Sequence, residues 1–235
     1  MNVDAQWDGT LAGARALQPE LARRVLLRDG FQAPLRVVAG FATGFEDDGK
    51  VARATAVLLD ARLVRVPTTL PYVPGLLTFR QLPALLEALA ALSQPPDLAM
   101  VAGAGIAHGQ RFGLASHFGV ATGLPTIGVA MQAQVGTAAG LHQIRGAYTP
   151  LREHGEQIGW MLRSKLHCQP LSVSPGHRVA MASTADLVMR YTRAHRLPEP
   201  IRLAMRLASR RAGHPDAAAR VQAARGLLVA LHRAA

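Results

Sequence analysis

Residues 98–119 read LAMVAGAGIAHGQRFGLASHFG, and the order of residue types along them decides the fold. Leu98 to Val101 is an apolar, strand-like run. Ala102-Gly103-Ala104-Gly105 follows, where small residues let a backbone or a ligand come close, and Gln110 to Gly119 has the pattern of a helix bearing Arg and His. A strand that ends in a glycine-rich turn is where α/β proteins usually place their chemistry. Between Asp97 and Glu153 there is no Asp or Glu at all. A site built here can hold phosphate, base or backbone, but it offers no carboxylate to a metal.

Upstream, the apolar spacing predicts an amphipathic helix over Thr10 to Arg28 and three Val-rich strands over Leu35 to Phe45, Val51 to Leu59 and Arg62 to Leu70. Asp47-Asp48-Gly49 and the Asp60-Ala61 step are links short enough to make these strands an antiparallel meander. Pro71-Tyr72-Val73-Pro74-Gly75 cannot be regular because of its two prolines. Thr78 is suited to cap a helix reaching Ser93. Asp97 to Ala102 and Thr126 to Ala130 are strands on either side of the helix in the opening stretch, an alternation that favours parallel pairing with crossovers.

Downstream, Gly136 to Tyr148 reads as a loop, Glu156 to Ser164 and Pro170 to Ser174 as short strands, and Pro175-Gly176-His177-Arg178 as a turn. Ser183 is suited to cap a helix through His195, with Asp186 in its first turn. Two further helices are expected from Pro198 to Ala212 and from Asp216 to Arg233. Ile201 to Ala235 carries seven Arg and one Asp, and the face shared by Arg202, Arg206 and Arg210 is read as the wet side of a docked helix in preference to a phosphate-tracking stripe.

Composition bounds the class. With 235 residues, 49% apolar and 17% charged, the chain is globular, expected as one domain over residues 1–213 with a basic helix over 214–235 docked on it. No apolar run is long enough to span a bilayer, the first residues are acidic where a secretory signal is basic, and Cys168 has no partner for a disulfide. A soluble, cytoplasmic protein is expected. The formal charge of +11, carried by 24 Arg and two Lys, points to a polyanionic partner, nucleic acid ahead of membrane.

Several stretches taken together resemble the endonuclease V family, metal-dependent nucleases that cut DNA or RNA one phosphodiester beyond a deaminated adenine. They are AGFATGFE at 39–46, TTLPYVPGLLTFRQLPALL at 68–86, SQPPDLAMVAGAGIAHGQRFGLASHFG at 93–119, PTIGVA at 125–130, RSKLHCQPLSVSPGHRV at 163–179 and YTRAHRLPEPIR at 191–202. The match runs in order, with few gaps, to about Gly213. It implies an α/β, ribonuclease-H-like mixed sheet: an antiparallel three-strand meander followed by βαβ units, flanked by helices.

The resemblance also implies carboxylates on adjacent strands that hold Mg²⁺, the metal activating water and stabilising charge on the cleaved phosphate. This chain departs from the family at each of those places. The acid of the first strand falls on Ala42, the Glu of the family's FRE motif on Gln81, and the Asp and His of its VDGHG motif on Ala102 and Ala104. A lysine usual after GVA is Met131, and an acid often found after GHR is Ala182. The expectation is therefore a nucleic-acid-binding relative, with no metal or other cofactor, that has lost phosphodiester cleavage. Two alternatives stay open: a scaffold recruited to a new activity or to a small molecule in the emptied pocket, and residual deoxyinosine-specific cleavage.

Other family motifs are kept. Tyr72, Val73, Pro74 and Gly75 match the wedge that enters the helix at the lesion, and Leu77, Gly103, Gly105 and Gly128 match positions near the base pocket. Arg80, Arg111 and Lys165 are candidate phosphate contacts, and His108, His117, His177 and Arg178 a candidate residual polar site. No paired His or Cys spacing supports zinc, so no metal ligands are assigned.

Overall fold

In β1, Val38–Glu46, successive side chains alternate between two faces: Ala39, Phe41 and Phe45 enter one core cluster, while Ala42 enters another. The computed structural model describes residues 7–58 and 61–208, and all eight of its strands belong to one sheet. β2 (Val51–Val57) and β3 (Ala61–Pro67) complete the expected antiparallel meander with β1. β4 (Leu98–Ala102) pairs parallel with β1, and β5 (Thr126–Ala130) parallel with β4. The final order is β3-β2-β1-β4-β5-β8-β7-β6, in which β6 (Tyr148–Glu153), β7 (Glu156–Leu162) and β8 (Leu171–His177) join antiparallel.

Helices cover both faces. α2 (Leu77–Ala90) and α3 (Leu114–Thr122) pack on the face of Phe41, whose ring lies 4.8 Å from that of Phe118. α4 (Met181–Arg190) and α5 (Glu199–Ala208) pack on the other, over Met100, Val129, Val173 and Ala42. α1 (Leu11–Arg23) lies outside α3, capped by Thr10, whose hydroxyl accepts from Gly13 N at 2.9 Å. No helix among the described residues is long and apolar enough to cross a membrane.

Several expected boundaries shift, each for a local reason. α1 ends at Arg23 and not Arg28. Thr78 is buried inside α2 and not its cap: the N-cap is Leu76, two residues earlier than expected, directly after Gly75 in the left-handed region (φ +82°). α3 begins at Leu114, not Gln110, because Arg111 has φ +53°; left-handed Gly123 ends it. β6 begins at Tyr148, where the polar, glycine-containing run from Gly136 reads as a loop, and an outermost strand tolerates Pro150 since its outward amide is not needed.

Pro175 to His177 continue β8 where a turn was expected. Pro175 lies beyond the last β7 pairing, Trp160 with Val173, and a register shift against β5 absorbs Gly176. α4 starts at Met181, stops at Arg190 and has no acid in its first turn; Asp29 caps it, accepting from Ala180 N at 2.7 Å and Ser183 Oγ at 2.6 Å. Asp60 and the segment 209–235, including the expected last helix, lie outside the described residues.

Candidate nucleic-acid interface

The parallel strands β4 and β5 end together beside the middle of β1, and the register brings the positions of interest side by side. Phe41 pairs with Val101 and Val101 with Gly128, so Ala42 and Ala102 are neighbours one step further on, with Val129 beyond. Ala42 is 1% exposed and packs with Leu203, Ala204, Leu207 and Ala208 of α5; Ala102 borders the same cluster. Thr55 of β2 locks this arrangement, donating its hydroxyl to Ala204 O at 2.8 Å. Gln81 projects from α2, and its amide donates to Thr43 Oγ1 at 2.6 Å.

Glu46, the last residue of β1, is bound by Arg53 at 2.5 Å and Arg65 at 3.2 Å. The hydrogen bond from Arg53, ahead of the charges of both arginines, holds its carboxyl below the usual range. Among the described residues, no group of three or more His, Cys, Asp or Glu converges as metal ligands would.

Tyr72, which the motif assigns to a wedge, is 66% exposed and directly precedes a turn closed by Leu76 N to Val73 O at 3.1 Å. Gln18 of α1 holds Gly75 O at 2.9 Å, and a Cβ at Gly75 would meet nothing within 4 Å. Leu76 anchors the turn in an apolar cluster with Leu70, Phe79 and Phe112. Leu77, the first residue of α2, is half-buried.

The glycines have a different explanation from an open base pocket. A Cβ on Gly105 would sit 2.1 Å from Pro175 O, and one on Gly128 would sit 2.2 Å from Gly105 N. These two are glycine because the turn after β4 is pressed between β5 and β8. Gly103, at φ +152°, is the one that needs an unusual backbone.

The four candidate polar residues do not form one constellation. His117 is buried between Phe79 and Phe112, its Nδ1 3.1 Å from Thr78 Oγ1, and burial depresses its pKa to about 3. His177 accepts from Leu26 N at 3.3 Å; burial first, then the charge of Arg178, lowers it to about 4. Arg178 donates to Gly123 O at 2.8 Å and Gly30 O at 3.0 Å, so His177 and Arg178 fasten residues 26–30 to the sheet. His108 accepts from Gln110 N at 3.3 Å, and burial lowers its pKa as well.

The candidate phosphate contacts divide similarly. Arg80 is buried, stacked 4.7 Å from the Phe45 ring centre and bonded to Gly49 O, and so clamps the β1–β2 link. Arg111 bridges to Glu153 and, at 3.6 Å, to Glu156, tying the glycine turn to the β6–β7 hairpin. Lys165 is exposed. The sequence did not show that α5 closes over Ala42, since that contact joins residues about 160 apart in the chain.

A mixed sheet of this order, with helices on both faces and a glycine turn where its parallel strands end, defines a ribonuclease-H-like fold. The endonuclease V family model matches residues 19–206, and the chain belongs to that family. It is 58% identical over 217 residues to endonuclease V of Xanthomonas campestris pv. campestris (strain 8004), covering 89% of this chain and 92% of the relative. The crystal structure of endonuclease V from Streptomyces avermitilis superposes with a TM-score of 0.81 at 39% identity, covering 87% of this chain and 93% of that one. Endonuclease V of Ciona intestinalis, crystallised with a 24mer DNA containing an inosine followed by a ribo-adenosine, shares the fold with a TM-score of 0.71 at 23% identity over 86% of this chain and 97% of that one.

Proposed function

We propose that this chain is an endonuclease-V-family protein that binds nucleic acid, distorted or deaminated, and does not cut it. The observation that carries this reading is the pair Ala42 and Ala102, which stand side by side beneath Leu203 and Leu207 of α5. Mg²⁺ takes hard oxygen ligands near-octahedrally, and methyl groups supply none. Gln81 keeps an oxygen but not the charge, and its amide is committed to Thr43. The residues present do not fit the metal.

What the chain's own residues can do is bind and distort. Exposed Tyr72, on a turn pinned by Gln18, supplies a rigid ring for insertion, and unstacking a base costs a few kcal/mol that such a wedge must supply. Lys165 and the net charge of +11 supply the sequence-independent attraction to phosphate. The three histidines with depressed pKa values stay neutral at pH 7 and add nothing to that attraction. A small molecule in the emptied centre finds no space at Ala42, which is 1% exposed.

The test is a binding and cleavage titration on normal and inosine-containing DNA and RNA, with Mg²⁺, with Mn²⁺ and with chelator. Salt-sensitive binding without product is the expected result. Metal-dependent nicking beyond the inosine that co-elutes with the protein, or affinity indifferent to salt, would overturn the reading.

A further inference from the structure

Four large apolar side chains, Met131, Ile144, Tyr148 and Leu166, stand 48%, 68%, 43% and 46% exposed. The register places them at one end of the sheet: Ala130 pairs with Ser172, Leu162 with Leu171 and Tyr148 with Leu162. Ala102, beside Val129, ends at that same edge, so the patch continues outward from the candidate centre.

The loops that carry these side chains are laced together. Buried Arg163 donates to His142 O at 3.1 Å and Cys168 O at 2.8 Å, holding the loop of Ile144 against the loop of Leu166. Arg196 joins Met131 O at 2.5 Å to Pro170 O at 3.0 Å. Tyr148 meets Trp160 edge-on at 4.9 Å, and Trp160 is fixed by its bond to Met181 O at 2.8 Å. The tyrosine ring is thus held in place with almost half of its surface free.

The charge around the patch has one sign. Arg145, exposed but oriented by a bond from its guanidinium to Thr192 O at 2.7 Å, and exposed Lys165 stand beside Ile144 and Leu166, and there is no Asp or Glu from Leu98 to Arg152 or from Gln157 to Ala185. The nearest acids in sequence, Glu153 and Glu156, both face Arg111. Cations interleaved with flat or apolar side chains suit a strand whose bases are free to stack. A duplex would instead set its phosphates against Ile144 and Leu166.

We propose that this end of the sheet is a platform for a single-stranded stretch of nucleic acid, with bases on Tyr148, Ile144 and Leu166 and phosphates near Arg145 and Lys165. The proposal rests on the nucleic-acid reading above and adds a second contact area beyond the Tyr72 turn. It makes the preferred ligand a strand, or a duplex with a single-stranded flank.

The experiment uses the full chain and measures fluorescence anisotropy of a labelled oligo-dT strand and of a blunt duplex of the same length. Tyr148→Ala and the double variant Ile144→Ser/Leu166→Ser are expected to weaken strand binding roughly tenfold, with Tyr148→Phe retaining it and duplex binding unchanged. Unchanged thermal melting of the serine variant, whose sites are exposed, separates lost contact from lost fold. Wild-type strand affinity in both variants overturns the platform and leaves nucleic-acid binding standing. A serine variant that loses self-association but not strand binding also overturns it, since a second copy then covers the patch. Failure of the wild type to bind either probe overturns both readings together.

Discussion

Thr55 donates its hydroxyl to the main-chain carbonyl of Ala204 at 2.8 Å, a bond from the second strand of the sheet to the middle of its last described helix. It holds α5 over Ala42. Thr55→Val keeps the shape and removes the donor, while Ala204 O keeps its bond within α5. A loss of about 0.5–1.5 kcal/mol in urea unfolding is expected, with Thr55→Ser recovering much of it.

Acid should weaken the protein well above the carboxylate range. His117 and His177 have folded-state pKa values of about 3 and about 4, below the 6.5 of a free histidine. The unfolded chain therefore binds more protons between those values, and stability present above pH 6.5 is lost as pH falls. Urea midpoints at pH 7 and pH 5 should differ in that direction. His117→Gln, which can still bond to Thr78, should narrow the difference.

Crowding at two glycines makes a sharp contrast with a third. Gly128→Ala and Gly105→Ala force a methyl against backbone at 2.2 Å and 2.1 Å, where neither neighbour is a flexible side chain. Each should cost at least about 1–3 kcal/mol. Gly109→Ala, with nothing within 4 Å, should leave the melting temperature nearly unchanged.

Arg80 and Lys165 should respond oppositely to the same change. Lys165→Ala is expected to lower the slope of log affinity against log salt by about 1 while sparing stability. Arg80→Ala removes a buried clamp on Gly49 and Phe45, so it should lower the unfolding midpoint and leave the salt slope as it was. A salt slope that falls with Arg80→Ala would put that side chain on phosphate after all.

The fold was legible where one signal dominated. The meander followed from short links between Val-rich runs, and Thr126–Ala130 has the boundaries its apolar run predicts. β6 follows a polar, glycine-containing run that reads as loop, and the end of β8 carries Pro175-Gly176, which reads as a turn; only the sheet order and register show that both stretches are paired. Of the candidate site, the strand positions of Ala42 and Ala102 followed from the Val-rich and glycine-flanked runs that carry them. The fastening roles of His177 and Arg178 were not, since their partners, Leu26 and Gly30, lie about 150 residues away. The same is true of Asp29 on the start of α4.

The two outermost strands of the sheet have a further effect. β6 carries Pro150 and is bridged along its outer side by Thr137 to Arg152, while β3, at the opposite edge, carries Arg65, half exposed even while paired with Glu46. An unguarded strand border invites another chain to add on, and imino acids and cations discourage it. An eight-stranded sheet guarded at both borders offers another chain no open strand to pair with.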